Sequence, residues 1–327
     1  MKRFSGYIFL TCAFTLAGTS VISARLLSGS LGTFTTTAVS LFFALLVLLP
    51  LCIRKIAPAL KSMSSGEWIY AALQALFGIF LFRFLLLQGL LRTSTAEAGI
   101  LTGATPAITT LLAWSWLKEH MRAKNVAGIL STIAGIALIQ GLAAGSFSSI
   151  HLWGNLLVLG AAASESVFNT LSRRSALKAG LKKAFDPIVQ TALVTLFALV
   201  FCLIPALFEQ PVQRLSALNI SGWLALIWYG WLGTSLAFIC WYAGIKRCPA
   251  HVAAAFSGMM PFTSLLLSAA LLGESVAWHQ WAGAALVISG MVLIGVRKKK
   301  RREESAAQSN HSVLTTAASR CPPAESE

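Results

Sequence analysis

The chain has 327 residues, of which 56% are hydrophobic and only 11% are charged, whereas about 25% of the residues in soluble domains are charged. This composition excludes an ordinary soluble domain and predicts a membrane protein. The formal net charge of +15 would suit nucleic-acid binding, but the basic residues lie between apolar segments, so the bilayer explains them and no nucleic-acid partner is expected. The six cysteines show no CxxC spacing, so neither a metal site nor a disulfide framework is indicated.

Apolar segments long enough to span a membrane follow one another along the chain. A helix needs roughly 20 residues to cross the hydrocarbon core, where backbone groups must bond within the segment. The first segment follows Lys2 and Arg3 and is too long for the apolar part of a signal peptide, so it is taken as a helix. The expected helices cover residues 7–24, 33–53, 67–90, 95–117, 125–141, 152–171, 185–207, 221–245, 251–272 and 280–296.

The stretch from Gly89 to Gly135 occurs twice, at an offset of 155 positions without a gap. The matched pairs include Gly89 with Gly244, Arg92 with Arg247, Gly103 with Gly258, Pro106 with Pro261, Glu119 with Glu274, Gly128 with Gly283 and Gly135 with Gly290. Within the first helix of each unit the offset is 148, and the extra residues fall in the basic loop around 178–183. A fixed internal repeat indicates two copies of one unit. The units are expected at residues 5–141 and 152–297.

Each unit is expected to contain five helices, so two consecutive units enter the membrane in opposite directions. Such inverted repeats are typical of many secondary transporters. With both termini in the cytoplasm, all Lys and Arg residues fall in cytoplasmic segments except Arg25, Arg83, Arg92 and Arg214, as the positive-inside rule requires. Residues 298–327 are expected to form a basic anchor for anionic lipid and a disordered cytoplasmic tail.

Arg83 is the most conspicuous charge in an apolar segment. It lies about sixteen residues into the third helix, where an arginine costs at least about 2.5 to 3.5 kcal/mol on insertion scales. It could bind a substrate carboxylate through its planar fork, or it could pair structurally with Glu97, which follows the next turn. Partial snorkelling towards the helix end is a further alternative.

Glu165 is the second charge expected inside the membrane. Asn169 lies one turn further along the same helix face. A desolvated carboxylate at this depth could carry a proton in coupled transport. The alternatives are a hydrogen bond in helix packing and a partner for an arginine.

Two aromatic residues of the eighth helix, Trp228 and Tyr229, lie near the middle of their segment. They are candidates for a cavity wall that stacks on a substrate, and the repeat places Gln74 at the position equivalent to Tyr229. A lipid-facing or packing role is the alternative for each of them.

Pro106 and Pro261 occupy matched positions in the middle of the fourth and ninth expected helices. Each follows a glycine by three residues. Because proline removes a backbone hydrogen bond, a kink is predicted at both places. Matched breaks indicate the site or the hinge of an alternating-access carrier, with simple kinks as the alternative. Glu119 and Glu274, at matched helix ends, are expected to act as structural caps.

The segments 85–139 and 238–295 share a small-residue turn, a proline within the helix, a glutamate thirteen residues further on and a Gly-rich last helix. With this doubled pattern the chain resembles the EamA-domain family of the drug/metabolite transporter superfamily over about residues 5–297. The resemblance implies ten helices, a central cavity lined by helices one to four and six to nine, and movement of small metabolites, often efflux of amino acids or related compounds. Family members often have Trp-Gly where this chain has Ala17-Gly18, and a small or aromatic residue where it has Glu165, so the resemblance does not identify the substrate.

We therefore expect an all-α membrane protein with ten transmembrane helices in two inverted five-helix repeats. The expected function is a secondary transporter of the bacterial inner membrane, the bacterial origin resting on the resemblance alone. It would export amino acids or related amines and carboxylates by alternating access. The residues expected to contact substrate or to couple transport are Arg83, Glu97, Glu165, Gln74, Asn169, Trp228 and Tyr229.

Two alternatives remain open: an uptake or exchange carrier for a charged nutrient, and a non-transporting membrane sensor or scaffold. The sequence contains no HExxH, GxSxG or Walker motif, so no enzymatic activity is expected. We also expect no cofactor and no metal. The expected partners are a small-molecule substrate and the lipid bilayer, and a homodimer is left open.

Overall fold

The fold is built from apolar helices joined by short connections. The structure is a computed structural model, which describes residues 2–118, 121–139, 149–179, 186–245, 247 and 256–295. Every named element in these residues is helical. The helices are α1 (Lys2–Leu27), α2 (Thr33–Ser62), α3 (Ser65–Ala75), α4 (Phe82–Leu90), α5 (Thr95–Thr102), α6 (Thr105–Leu117), α7 (Ala123–Ile139), α8 (Ser149–Ala179), α9 (Pro187–Leu207), α10 (Pro211–Ser216), α11 (Ile220–Ile227), α12 (Ala237–Ile245), α13 (Met259–Leu272) and α14 (Trp278–Gly295).

Five helical stretches within the described residues are long and apolar enough to cross a membrane. They are Phe4–Leu27, Thr33–Pro58, Ser65–Leu90, Ile188–Leu207 and Ile220–Trp241. Many large apolar side chains on the outside of the bundle are exposed, for example Phe208 and Ile220, as expected for surfaces that contact lipid. A membrane protein made of apolar helices is thereby confirmed, whereas the arrangement of ten spans stays a prediction.

Polar side chains in the sequence fix several helix starts. Ser64 and Glu67 form a capping box at the start of α3, and Ser94 accepts a hydrogen bond from the Glu97 amide at the start of α5. Asp186 and Asn219 cap α9 and α11 in the same way. Such caps bond amide groups of the first turn that have no partner within the helix.

Two segments of π-helix interrupt α-helical rods at matched places in the two units. The first, called π1 here, is Leu76–Leu81 between α3 and α4, and the second, π2, is Trp228–Leu236 between α11 and α12. The offset of 155 carries the end of π1 onto the end of π2. π-Helical turns are rare and often occur at functional sites. Their occurrence at matched positions of both units therefore makes this level of the bundle a candidate for the functional site. The sequence pattern did not predict them.

Glycine contacts show that the two units use the same packing with exchanged partners. A Cβ on Gly78 would come within 2.5 Å of the Phe168 ring, and a Cβ on Gly233 would come within 2.9 Å of the Ser20 Cβ. Gly78 and Gly233 are repeat equivalents at the offset of 155, and Ser20 and Phe168 are equivalents at the offset of 148. The rod that contains π1 thus packs on α8 as the rod that contains π2 packs on α1.

The last helices of the two units, α7 and α14, cross antiparallel at four glycines. A Cβ on Gly128 would lie 2.7 Å from the carbonyl oxygen of Gly290, and a Cβ on Gly135 would lie 2.7 Å from that of Gly283. Only glycine permits two backbones to approach so closely. These small residues are therefore packing residues, in agreement with a pair of units that run in opposite directions.

The fourth expected helix is not continuous, which corrects the prediction of a single helix over 95–117. It consists of α5 and α6, separated at Gly103 and Ala104, whose amides bond to carbonyls three residues back. Residues 251–255 of the ninth expected helix, the predicted cap Glu119 and the predicted tail 298–327 lie outside the described residues.

Candidate functional site

Arg83 lies in α4, two residues after π1, and the residue is 6% exposed. Nη1 donates to Oγ of Ser40 on α2 at 2.7 Å, and Nη2 donates to Oγ1 of Thr234 in π2 at 2.7 Å. Its Cζ lies 4.2 Å from the centroid of the Tyr229 ring, also in π2. Residues of α2, α4 and π2 therefore converge on one buried cation.

The partners of Arg83 are all electrically neutral. The Ser40 hydroxyl donates its proton to the carbonyl oxygen of Thr37 at 2.9 Å, and the Thr234 hydroxyl donates to that of Tyr229 at 2.8 Å. Each hydroxyl thus offers Arg83 a lone pair, and the ring face adds a cation–π contact. Among the described residues no carboxylate forms an ion pair with Arg83. Two of its five N–H donors are used in these bonds, so an anion would complete the site.

Arg83 and Glu97 do not pair, and the structural pairing suggested by the sequence is wrong. Glu97 is 7% exposed and bonds to neutral or imidazole groups of neighbouring segments. Its partners are the Thr93 hydroxyl at 2.9 Å, the Asn155 amide at 2.7 Å, the Gln280 amide at 3.0 Å and His151 Nδ1 at 3.4 Å. The side chain therefore ties α5 to α8 and α14, away from the groups that hold Arg83.

Glu165 lies on α8 beside the break between α5 and α6. Its Oε2 is 2.9 Å from Oγ1 of Thr105, the first residue of α6. The next residue, Ser166, has its hydroxyl 3.0 Å from the Thr105 carbonyl oxygen. Asn169 lies on the same helix and is partly buried. The Glu165 carboxyl group is thus hydrogen-bonded to the residue at which the fourth expected helix resumes after its break.

Pro106 and Pro261 are not kinks within continuous helices, which corrects that prediction. Pro106 occupies the first turn of α6, and Pro261 is the third residue of α13. The first turn tolerates proline because its amide would have no partner within the helix. Both prolines therefore follow a helix start, which in each unit comes just after a matched glycine, Gly103 or Gly258.

The remaining candidates contact other helices. Gln74 is 2% exposed and accepts a hydrogen bond from Nε2 of Gln190 on α9 at 2.9 Å. Trp228 is partly exposed, and its indole nitrogen donates to Oγ1 of Thr19 on α1 at 2.9 Å. Of the residues expected to meet a substrate, the structure thus brings together Arg83 and Tyr229.

The structure also identifies polar residues that the sequence did not single out. The sequence does not identify Ser40 and Thr234, because hydroxyl residues occur throughout the apolar segments without a distinguishing pattern. Glu209 was also missed, although its carboxylate caps α2 through the amides of Phe34 and Thr35 at 3.1 and 2.7 Å. The expected cap at Glu274 is confirmed, since it accepts hydrogen bonds at 3.0 Å from the amides of Thr95 and Ala96.

Comparisons with known proteins match nearly the whole chain. The model of the EamA-like transporter family matches residues 4–141 and 152–296. A protein named "Uncharacterized transporter YetK" from Bacillus subtilis (strain 168) is 30% identical over 301 residues, which cover 91% of this chain and 88% of the relative. The "Aromatic amino acid exporter YddG" of Ancylobacter novellus is 28% identical over 224 residues, which cover 67% of this chain and 71% of the relative. A solved structure described as "Crystal structure of protein" superposes with a TM-score of 0.58 at 24% identity, covering 89% of this chain and 96% of the other, and indicates the fold alone.

Proposed function

The chain belongs to the EamA-like transporter family, and from this premise we propose that it is a secondary transporter that exports amino acids or related carboxylates across the bacterial inner membrane. The observation that carries the proposal is Arg83. A buried guanidinium held by two hydroxyls and one aromatic ring has its positive charge uncompensated by any described carboxylate. The carboxylate of a substrate would supply that charge through charge-assisted hydrogen bonds.

The position of Arg83 suits a carrier that works by alternating access. The guanidinium belongs to the first unit, whereas Tyr229 and Thr234 belong to the second. A substrate bound there would contact both units and would therefore respond to their relative movement. The breaks before Pro106 and Pro261 give each unit a place at which a rod can bend. Both termini would lie in the cytoplasm, and a homodimer stays a prediction.

Amino acids are the first substrates to test. The YddG relative is named as an aromatic amino acid exporter, and the Tyr229 ring beside Arg83 offers a surface on which an aromatic side chain could stack. The carboxylate would bind Arg83 while the aromatic side chain contacted Tyr229. This assignment applies to the class of substrate and not to one compound.

The test is exchange in proteoliposomes that contain the full chain. Vesicles loaded with unlabelled L-phenylalanine, L-tyrosine or L-tryptophan are placed in the same radiolabelled amino acid, and its entry is followed. We expect the wild type to exchange at least one of them and Arg83→Gln to lose the exchange. Arg92→Gln is the matched control, because Arg92 is exposed in the turn after α4 and donates to the Gln88 carbonyl oxygen of that helix.

Three outcomes would contradict the proposal. Exchange by Arg83→Gln at the wild-type rate would remove Arg83 from the substrate site. A folded wild-type protein that exchanges none of a wider panel of amino acids, amines and carboxylates would favour a non-transporting membrane sensor or scaffold. Accumulation of substrate in the direction of uptake in intact cells would favour a nutrient carrier instead.

A further inference from the structure

The hydroxyl of Thr105 contacts two oxygen atoms at the break between α5 and α6. Its Oγ1 lies 2.9 Å from the carbonyl oxygen of Thr102 and 2.9 Å from Oε2 of Glu165. A hydroxyl has one proton to donate, and a carbonyl oxygen can only accept. Both contacts are full hydrogen bonds together only when the Glu165 carboxyl carries a proton and donates it to Oγ1. The geometry therefore fits a protonated carboxyl group.

No described cation neutralises Glu165. Glu165 forms no ion pair with a described residue, unlike Asp186, which pairs with Lys55, and Glu97, which pairs with His151. The helices packed against α8 and the turns at their ends carry the titratable or charged side chains Glu67, Tyr70, Arg83, Arg92, Glu97 and Lys118. Arg83 and Glu97 bond to the other groups described above, and Arg92 bonds to Gln88. An ionised carboxylate without a counter-charge is costly inside a membrane, and protonation removes that cost.

The carboxyl–hydroxyl pair occurs in one unit of the repeat only. At the repeat offsets Glu165 corresponds to Ala17, and Thr105 corresponds to Met260. The equivalent place in the other half is also closely packed, since a Cβ on Gly18 would lie 2.7 Å from the carbonyl oxygen of Met260. The shared scaffold thus packs α1 on α13 without a carboxylate or a hydroxyl at these two positions. Packing alone does not require Glu165.

We infer that Glu165 is a proton-binding site that couples proton movement to the break between α5 and α6. The inference rests on the proposed transport function and adds the coupling ion to it. In the conformation described here the proton sits on Oε2 and joins α8 to Thr105. When the proton leaves as H⁺ to one side of the membrane, Glu165 and the Thr102 carbonyl compete for the single Thr105 proton. One of the two contacts across the break is then lost, which frees the break to move; only an O–H bond is broken or formed.

Infrared difference spectroscopy of the full chain in lipid nanodiscs tests the proton site without any substrate. Spectra between acidic and alkaline pH are compared for the wild type, Glu165→Gln and the control Glu67→Gln, whose partly exposed carboxylate accepts a hydrogen bond from the Ser64 hydroxyl. We expect one component of the carboxylic-acid carbonyl band to titrate in the wild type and in Glu67→Gln and to be missing in Glu165→Gln. Identical spectra for the wild type and Glu165→Gln at every pH would overturn the inference.

Two Thr105 variants keep the test valid if Glu165→Gln does not fold. Thr105→Val removes the hydroxyl with little change of shape, so the band should move to a new position. Thr105→Ser keeps the hydroxyl and should leave the band where it is. A band that Thr105→Val leaves unmoved would overturn the coupling through Thr105.

Transport gives the second readout, with L-phenylalanine as the probe. We expect Glu165→Gln to lose accumulation of L-phenylalanine driven by a pH gradient, because an amide cannot release a proton. Accumulation at the wild-type level would overturn the inference. If the wild type moves no amino acid, the proposed function fails for these substrates, while the infrared titration still decides whether Glu165 binds the proton.

Discussion

Arg83 lies with its guanidinium carbon 4.2 Å from the centre of the Tyr229 ring, although the two residues belong to different units of the repeat. The contact is asymmetric, since the repeat equivalent of Arg83 is Phe238 and that of Tyr229 is Gln74. The helical scaffold is therefore present in both units, whereas the positive charge of Arg83 occurs in the first unit and has no equivalent in the second. In the proposed function, the substrate would bind to this single charge between the two similar halves.

The first prediction concerns the contribution of the Tyr229 ring to this contact. Tyr229→Phe keeps the ring face and should leave thermal stability nearly unchanged, whereas Tyr229→Leu removes a cation–π contact of about 0.5–2 kcal/mol. Melting in detergent, followed by intrinsic fluorescence, measures the difference. Equal melting temperatures for the two variants would show that the ring does not stabilise the cation.

The second prediction concerns Arg83 and substrate affinity. A hydrogen bond to a charged group contributes about 1.5–3 kcal/mol, so Arg83→Gln should weaken binding of a carboxylate substrate roughly ten- to hundredfold. Arg83→Lys keeps the charge but loses the planar fork, and its affinity should lie between those of the wild type and Arg83→Gln. Titration of the purified protein with the amino acid that it exchanges gives the three affinities. The decarboxylated amine of the same amino acid should not distinguish the variants.

The third prediction concerns the crossing of α7 and α14. Gly135→Ala would place a methyl group 2.7 Å from the backbone oxygen of Gly283, and neither backbone can yield without separating the helices. We expect a loss of about 1–3 kcal/mol, as for other overpacked sites. Gly66→Ala is the control, because nothing lies within 4 Å of a Cβ there. A melting temperature for Gly135→Ala as high as that of the control would contradict the close approach.

The repeat and the helix positions could be predicted from the sequence, because a gapless offset of 155 is visible residue by residue and apolar length identifies helices. The two π segments could not be predicted, since they depend on how rods pack and not on hydrophobic periodicity. For the break at Gly103 and Ala104 the sequence predicts only a kink at Pro106, because the proline is visible in the sequence but the turn before it is not.

The site was only half predictable for a related reason. An arginine in an apolar segment is conspicuous, so Arg83 was identified from the sequence alone. The pair with Glu97, one of the alternatives for Arg83, does not form because closeness along the chain does not determine side-chain direction, which follows from helix geometry. The true partners, Ser40 and Thr234, come from distant segments, and tertiary packing alone brings them to Arg83.

The fourth prediction concerns the cap that Glu274 provides to α5. Its carboxylate accepts hydrogen bonds from the amides of Thr95 and Ala96 at 3.0 Å each. Glu274→Ala should cost about 0.5–2 kcal/mol, the usual range for loss of a cap, and Glu274→Gln should cost less because its amide oxygen still accepts. Thermal unfolding in detergent measures both, with Ser275→Ala as a neighbouring exposed control. If Glu274→Ala melts with the control, the cap does not contribute to stability.

The fifth prediction concerns Pro106 as a hinge residue. In a continuous helix the amide of residue 106 would bond to the carbonyl oxygen of Thr102, but proline has no amide proton and the Thr105 hydroxyl contacts that oxygen at 2.9 Å. Pro106→Ala restores the donor, so α5 and α6 can join into one helix. We expect stability to be unchanged or raised, amide exchange at residues 103–105 to slow, and transport to slow with it.

Hydrogen–deuterium exchange followed by mass spectrometry tests whether the amides become protected. Exchange of L-phenylalanine in proteoliposomes tests whether transport slows. Pro211→Ala is the matched control, because Pro211 also begins a helix but follows the left-handed Gln210, so no preceding helix can be extended through it. A slower amide exchange without slower transport would show that the break is not the moving part. Slower transport without a change in amide exchange would place the effect of Pro106 elsewhere, since only a joined helix protects those amides from solvent.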